Sequence, residues 1–302
     1  MSTIITIDSI YELHRMLGLS NPKHPLITII DFSETQNIGA LVSNKFSVEL
    51  YSIDLKNQLP GEMLYGRKKY DFQEGSLMMM SPGQLLEFTS NSNQNETRGW
   101  GLFFHPDLLL KSSLSKTIDD YNFFYYELNE SLHVSEREKQ ILTDTIKRID
   151  IELSDNIDST SQLLIISNIE LLLNYCKRFY NRQFITRSNF DGNYISDFKQ
   201  MLKDYFREEK QKELGLPTVA YFAEKLNLSP KYFSDLVKME TEKNALSHLH
   251  DYIIKLAKTK IANSNDSINE IAYFLGFDYP QYFSKLFKQK TGSSPVEFRT
   301  NK

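Results

Sequence analysis

A duplication near the C-terminus decides most of what this chain can become. Thr218-Val219-Ala220-Tyr221-Phe222-Ala223-Glu224-Lys225-Leu226 is echoed by Ser267-Ile268-Asn269-Glu270-Ile271-Ala272-Tyr273-Phe274-Leu275. Tyr232-Phe233-Ser234-Asp235-Leu236-Val237-Lys238 is then echoed by Tyr282-Phe283-Ser284-Lys285-Leu286-Phe287-Lys288, with one extra residue in the second turn. Each copy has the pattern of a short apolar-periodic helix, a tight turn, and a second helix opened by a capping residue. That is a helix-turn-helix, which lays its second helix in a major groove. Tandem copies point to DNA.

Within the first copy, Thr218 is placed to cap a helix whose Val219, Phe222, Ala223 and Leu226 face inward. Ser229 caps the next helix and Pro230 takes its first position, where a missing N–H costs nothing. Phe233, Leu236 and Val237 then point inward, leaving Lys231, Ser234, Asp235 and Lys238 outward. In the second copy Ser267 caps, Ile268, Ile271, Ala272 and Leu275 are core, and Asp278 is expected to cap the following helix. Tyr282, Phe283, Phe277 and Phe287 are expected in the core, with Pro280, Gln281, Ser284, Lys285 and Lys288 outward. Between the copies, 246–262 is helix-periodic and predicts a rod of roughly 25 Å.

At 302 residues the chain is long enough for two cores, and 40% apolar residues argue against disorder. No apolar run is long enough to span a bilayer, and no secretory pattern opens the chain. One cysteine excludes an internal disulfide framework and suits a cytoplasmic setting. The net charge of -4 is uneven: 14 Lys/Arg against 10 Asp/Glu from Lys210 to Lys302 give +4, leaving -8 for the rest. An acidic front and a mildly basic back suit a sensing or assembly domain joined to a nucleic-acid reader.

The front half changes character near His105. Before it, Phe46-Ser47-Val48-Glu49-Leu50-Tyr51-Ser52-Ile53 alternates as a strand does, and Leu77-Met78-Met79-Met80 lies between turn signals. Beyond it, residues 136–153 and 161–180 are helix-periodic. The second of these carries Leu164, Ile165, Ile169, Leu172 and Leu173 on a stripe too wide for one partner, so part of it is expected to form a homodimer seam. Cys176 lies on the same stripe and is expected as a small buried hydrophobe. His248 and His250 diverge on their helix, so no metal site is expected there, and His105 is expected to end a strand.

Ile271-Ala272-Tyr273-Phe274-Leu275-Gly276-Phe277, then Tyr282 to Lys288, then Gly292-Ser293-Ser294-Pro295-Val296-Glu297-Phe298-Arg299 closely resemble the signature of the AraC-type bacterial transcription regulators. The resemblance covers 194–302, a third of the chain, and implies that the outward positions of both units enter adjacent major grooves of an operator duplex. In the first unit the chain departs from the pattern: Asp235 replaces a basic residue, Glu242 a glycine, Val237 a phenylalanine, and Ile253 the linker-helix arginine. Relatives commonly carry a cupin-like β-roll and a helical dimerisation hairpin ahead of the reader.

The expected architecture is therefore α+β: a cupin-like antiparallel roll with helical hairpin over 1–187, a linker over 188–193, and an all-α tandem helix-turn-helix domain over 194–302. Metal-dependent cupins show a His-x-His run, which the stretch after Gly75 lacks, so neither metal nor cofactor is expected. Further candidate partners are RNA polymerase and a small-molecule effector, the latter in a mainly apolar pocket anchored by Arg67, Tyr70 or Arg98. The rival class is an enzyme that borrowed the reader, such as a DNA-repair alkyl transferase. It would need a reactive cysteine, and Asn174-Tyr175-Cys176-Lys177 offers no such setting.

Overall fold

The computed structural model describes residues 4–35, 45–58, 64–65, 68–69, 75–87, 98–127, 130–155, 158, 160–188 and 194–300. The strands are β1 (Ile4–Ile7), β2 (Ile27–Asp31), β3 (Lys45–Val48), β4 (Tyr51–Gln58), β5 (Leu64–Tyr65), β6 (Lys68–Lys69), β7 (Ser76–Met80), β8 (Gln84–Glu87), β9 (Arg98–Phe104) and β10 (Leu132–His133). Helix α1 (Ile10–Leu17) follows β1, and α2 (Leu114–Thr117), α3 (Glu136–Ser154) and α4 (Ser161–Ser188) follow β9. The rest is helical: α5 (Tyr194–Arg207), α6 (Gln211–Leu214), α7 (Val219–Lys225), α8 (Pro230–Thr241), α9 (Ala245–Asn263), α10 (Ile268–Phe274), α11 (Pro280–Thr291) and α12 (Pro295–Thr300).

A five-stranded sheet runs in the order β10-β7-β4-β9-β2, a three-stranded one in the order β1-β3-β8, and β5 pairs with β6. The alternating run from Phe46 to Ile53, expected as one strand, is two strands in different sheets. β3 pairs with β1 and β8, whereas β4 lies between β7 and β9. The chain changes sheets at Glu49, whose N–H bonds the Ile7 carbonyl. Alternation continues through such a switch, so periodicity does not reveal it. Ile10, Leu13 and Leu17 of α1 close over Phe46, Val48, Ile30, Phe32 and Phe103, which form one apolar core. Ser9 caps α1 and Gly18 ends it in the left-handed conformation.

Ser135 and Glu138 form a capping box that starts α3. The Trp100 indole on β9 donates to the Thr143 hydroxyl at 3.1 Å, which fixes α3 against the larger sheet. Arg182, late in α4, grips Glu138 in the first turn of α3 at 2.8 Å, so the two helices run antiparallel. Most of the expected seam is buried inside the single chain. Ile165, Ile169, Leu172 and Leu173 are at most 1% exposed within the single chain, and only Leu164 remains open. The stripe is covered within the single chain, and α4 is held along its length by the segment between β9 and β10: Gln162 donates to the Leu108 carbonyl, the Tyr121 hydroxyl to Asn174, and the Phe123 ring stacks on Tyr180. Leu163 and Leu171 join Leu164 as exposed apolar side chains on α4.

The chain divides into two compact units, Met1–Gln183 and Phe184–Lys302, so the division falls inside α4, shortly before the expected boundary at 187. The expected linker lies outside the described residues apart from Ser188, the last residue of α4.

Candidate nucleic-acid interface

The first helix-turn-helix is α7 and α8. The Thr218 hydroxyl accepts the Tyr221 N–H and starts α7, and the Ser229 hydroxyl accepts the Tyr232 N–H and starts α8 at Pro230. Phe222 of α7 and Phe233 of α8 meet Phe198 of α5 edge-on, with centroids 5.1 and 5.2 Å apart. This aromatic contact fixes the angle between the two helices. It leaves Lys231 and Lys238 exposed, with Ser234 and Asp235 half-buried at the margin of the same face. Tyr232 is 1% exposed, beneath the Phe184 ring at 5.0 Å.

The second unit is α10 and α11. Ser267 and Glu270 form a capping box, and the chain turns at Gly276, where φ is +92°. A Cβ on Gly276 would lie 2.8 Å from the Gly215 carbonyl carbon, so both the backbone angle and the close approach require glycine there. Asp278 does not cap α11. The N-cap is Tyr279, which makes no side-chain capping bond. Pro280 at the first helical position fixes its predecessor as the cap, and the extra turn residue moves Asp278 one place too early. Tyr282 is also not core: it is 59% exposed, whereas Phe277, Phe283 and Phe287 are buried as expected. Gln281, Lys285 and Lys288 are exposed, with Pro280 and Ser284 half-buried beside them.

Helix α9 carries both units. Asn244 caps it, and Leu249, Ile253, Ile254, Ala257 and Ile261 are buried along its length. Its 19 residues make a rod of roughly 28 Å. Asp251 binds Lys243, just beyond α8, at 3.0 Å, and Lys290 of α11 at 2.8 Å. Burial would raise this carboxyl, but the hydrogen bonds from Lys290 and Lys243 outweigh it and hold it below the usual range. One carboxylate thus ties both units to the rod. Nothing in the sequence singles it out, since its partners are brought together only by the packing of α8 and α11 on α9.

Residues 222–301 match the family described as Helix-turn-helix domain. The chain carries an AraC-type helix-turn-helix domain. That makes it a transcription regulator by class. Similarity to the arabinose operon regulatory protein of Salmonella typhimurium, at 23% identity, covers 93% of this chain and 95% of that one. The MmsAB operon regulatory protein of Pseudomonas aeruginosa is 31% identical over 98 residues, 32% of this chain and 31% of its own length. The C-terminal domain of AraT, a response regulator from Geobacillus stearothermophilus, is 29% identical, with a TM-score of 0.33 over 37% of this chain and 87% of that one.

Outside the AraC-type domain, of the expected effector anchors Arg67 and Tyr70 lie outside the described residues, and Arg98 is exposed at the start of β9. A cleft of about 320 Å³ opens instead beside β2, between the end of α1 and α3. Its lining is mixed: His14, Thr28, Lys23 and Asp150 share it with Ile27, Ile29 and Leu153. His14 is locked there, with Nδ1 2.6 Å from the Ser20 carbonyl and Nε2 2.8 Å from the Thr28 hydroxyl. Cys176 is fully buried, and burial pushes its thiol up. His105 directly follows β9 and caps the helical turn after it, its Nδ1 accepting the Asp107 N–H. Among the described residues no cluster of His, Cys, Asp or Glu could hold a metal ion, and no helix is long and apolar enough to cross a membrane.

Proposed function

We propose that this protein reads an operator with α8 and α11 in successive major grooves, as a homodimer whose front unit answers to a small molecule. The observation that carries the reading is that two helix-turn-helix units sit on one rod, α9, each exposing lysines on its second helix. Lys231, Lys238, Lys285 and Lys288 supply phosphate or guanine contacts. Gln281, Ser234, Ser284 and Asp235 supply polar readout, and Pro230 and Pro280 set where each helix begins. In the front unit, two sheets closed by α1 and backed by the α3–α4 hairpin support a cupin-like roll with a dimerisation hairpin, and the exposed Leu163, Leu164 and Leu171 supply its pairing surface. The Salmonella relative, similar along both units, is named for an operon that it regulates, which supports the same role here. RNA polymerase is then the second partner and the cytoplasm the site of action.

An alkyl-transferase reading requires a reactive thiolate, and the only cysteine is buried with its thiol held protonated. The direct test is sequencing of duplexes selected by the full-length protein. Lys285→Ala is expected to weaken binding to the selected operator by about 1–3 kcal/mol and to lower the salt dependence. Unchanged affinity removes α11 from the interface.

A further inference from the structure

The two recognition helices are not equivalent at their leading ends. In the first unit the N-cap is Ser229, buried and bonded to the Tyr232 N–H, and Tyr232 is itself buried. The matching positions of the second unit are Tyr279, which makes no capping bond, and Tyr282, and both are 59% exposed. Their rings meet edge-on at 5.7 Å. A tyrosine at an N-cap gives up a bond that serine would make, and an exposed ring contributes little to folding. Neither side chain is explained by the stability of the helix that carries it.

Their surroundings indicate the occupant. Tyr282 lies one turn before Lys285 on α11, and Lys288 follows one turn after Lys285. A paired aromatic surface bordered by exposed lysines is complementary to duplex DNA, whose phosphates take the cations. Within a major groove, the apolar group that meets an aromatic face is the thymine 5-methyl. We infer that Tyr279 and Tyr282 form an aromatic wedge that reads thymine methyl groups in the second half of the operator. This rests on the proposed operator reading and adds a base-reading element that the lysines cannot supply.

The test uses the full chain and its selected operator, with each thymine of the second half replaced in turn by uracil, which removes only the methyl. One or two such replacements are expected to weaken wild-type binding by about fourfold, the worth of one buried methyl group. Tyr279→Ser is expected to keep or raise the unfolding temperature, because it restores a cap, while lowering operator affinity by about tenfold. In Tyr279→Ser and in Tyr282→Ala the uracil effect is expected to vanish, with binding to unrelated duplex retained through Lys285 and Lys288. Wild-type operator affinity in both variants, or undiminished uracil sensitivity in them, overturns the wedge and leaves the operator reading standing. A chain that selects no operator overturns both.

Discussion

Asp54 is a carboxyl with one oxygen satisfied and the other not. It is 2% exposed on β4, its Oδ2 accepts from the Ser52 hydroxyl at 3.2 Å, and its Oδ1 has no hydrogen-bond partner. Burial raises its pKa from 3.8 to about 6, against the opposing pull of Lys56 and Ser52. The folded state therefore holds the proton more tightly than the unfolded chain. Stability is expected to fall as pH rises from about 4 to about 6 and to level off above that. Asp54→Asn removes the titrating group, so it is expected to flatten this slope. Denaturant titrations at pH 4, 6 and 8 check it, and equal slopes in both proteins refute it. Glu242 carries backbone strain: it ends α8 at φ 61°, where Gly292 ends α11 at φ 82°. A non-glycine residue carries a steric cost in that conformation. Glu242→Gly is expected to raise the stability of the helical unit by about 1 kcal/mol, read as a shifted denaturation midpoint.

Among the elements, α4 shows how a helical stripe divides between inside and outside. Ile169 is fully buried beside Leu172, Leu173 and Cys176, while Leu164 and Leu171 remain open on the same helix. A glutamate at the first position buries an unpaired charge, and one at the second meets water. Ile169→Glu is expected to unfold the front unit. Leu164→Glu combined with Leu171→Glu is expected to keep the fold and to convert dimers to monomers in sedimentation. A folded dimer after the double change removes this face from the seam. The stripe itself was legible in the sequence, but its width cannot say which flank meets a sheet of the same chain. The recognition helices were legible almost residue by residue, because caps, proline and apolar spacing are local signals. At Asp278 and Tyr282 the structure departs from the local pattern because the copies stop being equivalent there: one inserted residue moves the cap, and Phe184 covers Tyr232 but not its counterpart.

For the whole molecule, the same double variant has a consequence on DNA: loss of pairing is expected to shorten the protected operator to one half-site, seen by footprinting. Local patterning along the chain specifies the tandem reader, its outward lysines, the approximate length of α9, and the separation of a strand-rich front from a helical back. Those features rest on interactions between residues a few positions apart, which a linear pattern records. Packing between distant segments settles the rest. It set the assignment of β3 and β4 to different sheets, the burial of Ile165, Ile169, Leu172 and Leu173 within one chain, and the clamp of Lys243 and Lys290 on Asp251. It also set the exposure of Tyr279 and Tyr282, and the unsatisfied oxygen of Asp54. Each of these depends on which distant segment arrives against a residue, and hydrophobic spacing records that a side chain seeks a partner without recording which partner it meets.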